Sequence, residues 1–488
     1  MMRKTADYPN IVFIMADDMG YGDVGCYNPD SRIPTPNMDR LAADGMRFTD
    51  AHSSSAVCTP SRYSVLTGRY CWRSALSEGV IGGYSPPLIE TSRLTIGSLL
   101  REQGYATACI GKWHVGLDYQ DAGGHVVNRE DRVDFSKPVL NGPAALGFDY
   151  AYFNAACGAH LPLGFIENDR FVDDEFRHYE SPNPAIVPSG MKGKGFDVRE
   201  MDVEIATRAC RWIRKRAGED RPFFLYLTPN APHEPCVESV VPEFARGKSK
   251  AGHRGDLVWL FDWIVGQVME TLEEARLAKN TLLMVTSDNG ALPGDFVYGE
   301  DGQRVMTNPS RREFQYATYE HKSCGDLRGY KAHIWEGGHR EPLIARWPGR
   351  IAPNSVSDQL ICLSDLMATC AAITGRELPE DSAEDSCNIL PVLLGEAEQP
   401  VRDALVHHSS FGVFSVRQGK WKVVFDCADS GGWPTPRGSH PEPDSPGQLY
   451  DMKADPAEQQ NLWNDRQDVV DRLRDLLSRY RDTGRSAP

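Results

Sequence analysis

The sequence predicts an α/β fold: a large, mixed but mostly parallel sheet between helices, then a small C-terminal antiparallel sheet with one helix. Three observations predict it. Residues 11–16, 223–227 and 282–286 are continuous apolar runs, the pattern of strands buried on both faces of a parallel sheet. Amphipathic helical stretches stand between them. Beyond residue 385 come short runs that read as antiparallel strands, with Gln418-Gly419 as a hairpin turn. A Pro/Asp/Glu-rich stretch over 377–385 marks the change, and divides the chain into a unit of residues 1–376 and a smaller α+β unit of 377–488.

The first apolar run ends in Asp17-Asp18. Ligands of open α/β sheets gather at the carboxyl ends of strands. Two adjacent carboxylates repel there unless a cation lies between them, and a hard divalent ion with oxygen ligands suits them. An N-cap for a following turn is the plainer reading of the same pair. Thr35 and Pro36 then open a helix that Gly45 closes. Cys58-Thr59-Pro60-Ser61-Arg62 reads as a loop running into a helix, with Pro60 in its first turn and Gly68 as its stop. Cys58 falls at the helix N-terminus, where unpaired N–H groups favour a thiolate. A lone cysteine is otherwise a buried structural thiol.

A helix over 94–103 and a strand over 105–110 deliver Lys112 and His114. At i and i+2 on an extended segment they point the same way, so both can face an anion. A surface turn with a stray histidine is the alternative. Residues 118–200 carry few periodic runs and read as loops over the mouth of a site. Within them Asn154 and His160 are polar candidates, for which a structural role is equally open. A helix over 201–217 leads to the strand at 223–227, beyond which Pro232 and Pro235 bracket His233. A long helix over 256–277 precedes the strand at 282–286, which ends in Ser287-Asp288-Asn289-Gly290. Asn-Gly favours a tight hairpin, but no alternating partner strand follows. Asp288 and Asn289 therefore read as a third carboxylate and an amide oxygen for the same metal. Further on come a strand over 343–347, a helix over 364–373, short strands over 404–406, 413–417 and 420–425, and an amphipathic helix over 468–480.

The net charge of -15 argues against nucleic acid as the main partner, and requires a local cationic pocket for any anionic substrate. No run approaches the roughly 20 apolar residues of a membrane span. The N-terminus runs straight into a strand without an apolar leader, so the expected location is cytoplasmic, or periplasmic or secreted if a leader has been removed. The 12 cysteines include no CxxC pair and read mostly as free thiols of a reducing compartment.

Cys58-x-Pro60-Ser61-Arg62 followed by Leu66-Thr67-Gly68-Arg69 resembles the signature of the type I, formylglycine-dependent sulfatases, arylsulfatase-like members of the alkaline phosphatase superfamily. Gly111-Lys112-Trp113-His114 resembles the second signature of that family, and Pro232-His233-Glu234-Pro235 its Pro-His-x-Pro element. Gly329-Tyr330-Lys331 with Glu336-Gly337-Gly338 resembles its Gly-x-Lys and Glu-Gly-Gly element, and Leu449-Tyr450-Asp451 its C-terminal element. The likeness runs from Asn10 to about Leu462.

The resemblance implies an alkaline-phosphatase-like sandwich that hydrolyses sulfate esters, aryl or carbohydrate. Cys58 would be oxidised to formylglycine by a formylglycine-generating enzyme. One hydroxyl of its gem-diol would attack sulfur, and the other would drive the release of sulfate. One Ca²⁺ would be held by Asp17, Asp18, Asp288, Asn289 and modified Cys58. Arg62 would hold the modified Cys58, and Asp288 would lie close enough to take the proton of the nucleophile. Lys112, His233 and Lys331 would bind sulfate oxygens, with His233 or Lys331 protonating the leaving group. His114 would act as base when sulfate leaves. The expected partner is a sulfated small molecule or carbohydrate, with neither nucleic acid nor membrane, and specificity is expected in residues 118–200, in 291–325 and in the C-terminal unit. Two alternatives stand beside this. A formylglycine-dependent phosphodiesterase or phosphonate monoester hydrolase would typically carry His at position 289, whereas Asn289 favours Ca²⁺ and sulfate esters. A catalytically silent sulfate-ester binding protein has no need for the intact run of Cys58, Arg62, His114 and His233.

Overall fold

The computed structural model describes residues 8–158, 160–181, 187–292, 319–433 and 445–487, with the backbone of two short strands, Phe296–Tyr298 and Arg304–Met306. The stretch before Tyr8 and most of the 291–325 loop, on which the leader and part of the specificity expectations rest, lie outside the described residues.

A ten-stranded sheet forms the frame. In chain order its strands are β1 (Asn10–Ala16), β2 (Met46–Phe48), β3 (Ala106–Lys112), β4 (Tyr150–Asn154), β5 (Ile166–Glu167), β6 (Arg170–Phe171), β7 (Phe223–Thr228), β8 (Thr281–Ser287), β9 (Leu343–Arg346) and β10 (Ser355–Ser357). They lie in the order β10-β2-β9-β8-β1-β7-β3-β4-β5-β6. The run from β8 to β4 is parallel throughout, so its carboxyl ends share one edge. Antiparallel pairs flank it at β8–β9 and β4–β5.

β1 shows why the central runs are apolar without alternation. Ile11, Phe13 and Met15 enter one core, and Val12, Ile14 and Ala16 enter the other. Helices α1 (Pro36–Ala43), α4 (Met201–Arg214) and α5 (Gly252–Glu274) cover the second core with Leu41, Ile205 and Phe261. Helices α2 (Cys58–Thr67), α3 (Ile96–Glu102) and α6 (Leu366–Thr374) cover the first with Leu66, Leu99 and Met367. Gly68 ends α2 at φ +66°, its N–H donating to Ser64 O at 2.8 Å.

Some expectations shift. β4 lies inside the stretch expected to be loops; its two-sided burial rests on Ala151, Tyr152 and Phe153 rather than on an aliphatic run. Thr35 does not cap α1 with its side chain, because its Oγ1 accepts from Gly25 N at 2.8 Å. α5 starts at Gly252, four residues before the expected position, and α4 ends at Arg214.

The second sheet contains β11 (Ala404–His408), β12 (Phe414–Gln418), β13 (Trp421–Val424) and β14 (Gln448–Asp451), paired antiparallel in that order. Helix α7 (Gln467–Asp482) packs Val470 and Leu473 on Leu405 and Val416. The two sheets are joined by backbone. His408 N donates to Ser54 O at 3.2 Å and Ala56 N to His408 O at 3.1 Å, just ahead of α2.

A buried polar seam lies beside this junction. Lys422 Nζ is 3.0 Å from Glu336 Oε1 and 2.8 Å from Glu458 Oε1. The rings of His52, His339 and His407 gather next to it, with His339 and His407 stacked at 3.9 Å. Burial, with Lys422 or a neighbouring imidazole, holds His339 and His407 well below the ordinary histidine value, and burial pushes His408 down to about 4. These groups take up protons more readily unfolded than folded. Their contribution to stability is therefore complete above the unfolded value of about 6.5 and is lost as pH falls from there towards the folded values. Calorimetric melting between about pH 7 and pH 4 is expected to show Tm falling across that window, with a flatter profile for His407→Gln.

Candidate active site

The site forms where the parallel strands end. β1 delivers Asp17 and Asp18, β8 delivers Asp288 and Asn289, β3 ends on Lys112, and the segment after β7 carries His233. The N-terminus of α2 adds Cys58 and, one turn on, Arg62. Lys331 arrives from the segment before β9. All ten are buried. Backbone bonds lock the strand ends together: Asp288 N donates to Ala16 O at 3.1 Å, and Asp18 N to Asp288 Oδ1 at 3.2 Å. Asp18, His114 and Ala332 hold positive φ (71°, 58° and 77°), a conformation that costs energy without glycine and persists where surroundings impose it.

One oxygen from each of Asp17, Asp18 and Asp288 lies within 4.8 Å of the others. Three cations answer that charge. Lys112 Nζ is 2.6 Å from Asp17 Oδ2, and Lys331 Nζ is 2.7 Å from Asp18. Arg62 donates from Nε and Nη2 to Asp288 Oδ2 at 3.0 and 2.7 Å, and from Nη1 to Lys112 O at 3.1 Å. Its Nη2 is also 3.5 Å from Asp17 Oδ1. The guanidinium thus engages the carboxylates and a strand end.

Burial raises the carboxyl of Asp17, but Lys112, His233 and Arg62 outweigh it and hold the group well below the ordinary range. Burial and the charge of Asp17 push Asp288 well above it. Asp17 Oδ1 and Asn289 Oδ1 are buried without a hydrogen-bond partner. Clustered carboxylates with two unsatisfied hard oxygens fit a hard divalent ion with oxygen ligands.

Burial raises the Cys58 thiol, yet Lys112, Lys331 and His114 bring it well below its ordinary value. His114 Nε2 lies 2.7 Å from Ile81 O, so that nitrogen donates and Nδ1 keeps the lone pair. Burial and Lys112 hold this imidazole below its usual value, hence neutral, with Cys58 beside it. His233 is the opposite case. Its Nδ1 donates to Glu234 O at 2.8 Å, and its Nε2 is 3.7 Å from Asp18 Oδ2. Burial lowers it, but Cys157, Asp17 and Asp18 raise it well above the ordinary value, which favours the imidazolium. One neutral and one charged histidine give the site a proton acceptor and a proton donor together.

In the loop candidates, Asn154 Nδ2 donates to Asn230 Oδ1 at 3.0 Å and ties β4 to the end of β7, a structural role. His160 borders the site, its ring 5.4 Å from His114 and its Nδ1 2.9 Å from Cys157 Sγ. Cys157 was not expected. Burial raises its thiol, but His233, His160 and Lys112 take it well below the ordinary value. The Cys157-x-x-His160 spacing is the signal that marks it. Glu341 is also new: buried, and pushed well above the carboxylate range by burial, Asp288 and Asp18. In sequence it looks like any charge ahead of a strand.

The Sulfatase family model matches residues 9–376. The chain belongs to the sulfatase family. This sulfatase is 33% identical to an N-acetylgalactosamine-6-O-sulfatase of Bacteroides thetaiotaomicron, over 97% of the chain and 93% of that protein. It is 32% identical to human arylsulfatase A, over 93% of the chain and 83% of that protein. A solved structure from work on the metabolism of multiple glycosaminoglycans by Bacteroides thetaiotaomicron superposes with a TM-score of 0.82 at 32% identity, covering 96% of this sulfatase and 98% of that chain. The fold is the alkaline-phosphatase-like sandwich of the family, and the sulfatase is a sulfuric ester hydrolase.

Arg62 is buried against two of the three carboxylates. Arg62→Ala is expected to cost about 3–5 kcal/mol in a denaturant-midpoint measurement. Arg62→Lys keeps the charge but not the fork, and is expected to recover only part of that loss.

Proposed function

We propose that this sulfatase desulfates a carbohydrate, of the 6-O-sulfated N-acetylgalactosamine type, using formylglycine at position 58 and one Ca²⁺ held by Asp17, Asp18, Asp288 and Asn289. The observation that carries the proposal is the convergence of Lys112, Lys331, His114 and His233 around Cys58 and a cluster of three buried carboxylates. The sugar class is supported by the 33% identity with a sulfatase of that name along nearly the full length of both chains. A chain of net charge -15 needs such a local cationic pocket to draw in an anionic ester.

Formylglycine, once hydrated, supplies a hydroxyl nucleophile and a route for expelling sulfate. Ca²⁺ supplies charge that lowers the pKa of that hydroxyl. Lys112 and Lys331 bind sulfate oxygens and stabilise the charge that grows as the ester bond breaks. His233, an imidazolium, gives its proton to the leaving sugar oxygen. His114 takes a proton at Nδ1 while Ile81 O holds its other nitrogen. Arg62 keeps Asp288 in place and favours its ionised form. A formylglycine-generating enzyme is the maturation partner this chemistry needs.

Sulfate release from N-acetylgalactosamine 6-sulfate, compared with the 4-sulfate, tests the substrate class; turnover of the 4-sulfate alone would overturn it. Mass spectrometry of the peptide containing residue 58, from protein made in its native host, is expected to show the aldehyde or its hydrate. An unmodified thiol in fully active enzyme would refute the nucleophile. His233→Ala is expected to cut kcat on the sugar sulfate by about 10²–10⁴-fold. The loss on 4-nitrophenyl sulfate should be far smaller, because that leaving group needs no proton; equal losses would remove His233 as the acid. Chelation is expected to lower Tm and abolish activity, with Ca²⁺ restoring both.

A further inference from the structure

Among the described residues, the small sheet approaches Lys331 through the turn Ser430-Gly431-Gly432-Trp433, after β13. This turn is fixed from several sides. Ile334 N donates to Ser430 O at 2.8 Å. His333 Nε2 donates to Trp433 O at 3.0 Å, and Ser430 Oγ to the same oxygen at 3.1 Å. Ser409 Oγ donates to Gly431 O. Gly432 lies so close to the Lys331 segment that a Cβ on it would stand 2.0 Å from Ala332 O, so no other residue fits there. Ala332 is in turn the positive-φ residue that follows Lys331.

This scaffolding sets the Trp433 ring 5.9 Å from Lys331 Nζ. The same ammonium is 2.7 Å from Asp18 at the centre of the site. The indole is only half-buried, unlike Trp113 and Trp335, which lie inside the protein. A large, rigid aromatic surface, partly exposed and held beside the cation assigned to the sulfate, is placed for contact with the organic part of the ester. Lys112, Asp17, Cys58 and His114 cannot supply that contact, since they lie at the reacting end and are fully occupied by charge and proton chemistry.

We propose that Trp433 is the platform on which the sugar ring of the substrate stacks, which makes the turn after β13 a determinant of specificity. The proposal rests on the carbohydrate-ester reading given above. The chemistry matches. In a galacto-configured pyranose the C–H bonds at C3, C4 and C5 lie on one face and form an apolar patch. Only the C5–C6 and C6–O6 bonds separate that patch from a 6-sulfate. A ring stacked on the indole therefore keeps its ester within reach of Lys331. A gluco-configured ring, with its equatorial O4, presents a smaller patch.

Steady-state kinetics of Trp433→Ala and Trp433→Phe on N-acetylgalactosamine 6-sulfate test this, with inhibition by inorganic sulfate as the second readout. Trp433→Ala is expected to raise KM on the order of tenfold with little change in kcat, and Trp433→Phe to restore most of the loss. The inhibition constant of inorganic sulfate should stay unchanged, because sulfate meets the lysines and not the indole. An unchanged KM in Trp433→Ala would overturn the platform. So would a sulfate inhibition constant that weakens by the same factor as KM, since that would mean the tryptophan only braces the Lys331 segment. If the wild-type enzyme turns over aryl sulfates but none of the 6-sulfates of N-acetylgalactosamine, N-acetylglucosamine and galactose, the carbohydrate reading itself fails and takes the sugar platform with it.

Discussion

Three buried carboxylates at the ends of adjacent parallel strands repel one another, and the surrounding architecture answers that repulsion. Asp17, Asp18 and Asp288 are fully buried, so water screens none of their charge. Each has its own cation from a different part of the chain: Lys112 from the end of β3, Arg62 from inside α2, and Lys331 from the segment ahead of β9. Every one of these ion pairs therefore also fastens a segment to the sheet edge. A pair of this kind adds little net stability over an apolar substitute, but losing one partner strands a charge. The cluster thus specifies where three segments go more than it strengthens the fold.

The same charges suit the chemistry of a sulfate ester. The groups that balance the carboxylates in the ion-free protein are the cations that an ester sulfate needs. A divalent ion on the carboxylates would take over their balance and free the lysines. Arg62 differs from the lysines in this respect. Its fork is committed to Asp288 and to the Lys112 carbonyl, so it stays with the scaffold in both cases.

Sequence and structure agree where burial leaves a one-dimensional trace. β1, β7 and β8 are legible because both faces are covered, which leaves a run with no polar alternation. The polar residues just past such runs, Asp17-Asp18, His233 and Asp288-Asn289, stand out by contrast. Short strands leave no such trace. β2 and β10 are three residues long, and β4 owes its place to aromatic residues inside a Gly- and Asn-rich stretch. Partners across long separations are equally invisible: nothing near Arg62 announces Asp288, and nothing near Trp433 announces Lys331. Cys157 and Glu341 look like ordinary loop and edge residues until the fold brings charge beside them.

The position of the second sheet carries the reasoning one step further. Its first strand bonds to the backbone just ahead of Cys58, and its Gly-Gly turn lies on the backbone just past Lys331. The segments it touches thus bear the nucleophile position and one sulfate cation, while the metal carboxylates sit on the main sheet alone. The metal carboxylates and Lys112 are held by strand ends, where backbone hydrogen bonds tie neighbouring strands together. The indole that borders the site comes from a turn between strands of a separate sheet, where residues can change without disturbing the parallel core. If the sugar is read from that turn, chemistry and selectivity occupy different layers of the molecule. They meet at Lys331, whose ammonium touches Asp18 on one side and faces Trp433 on the other.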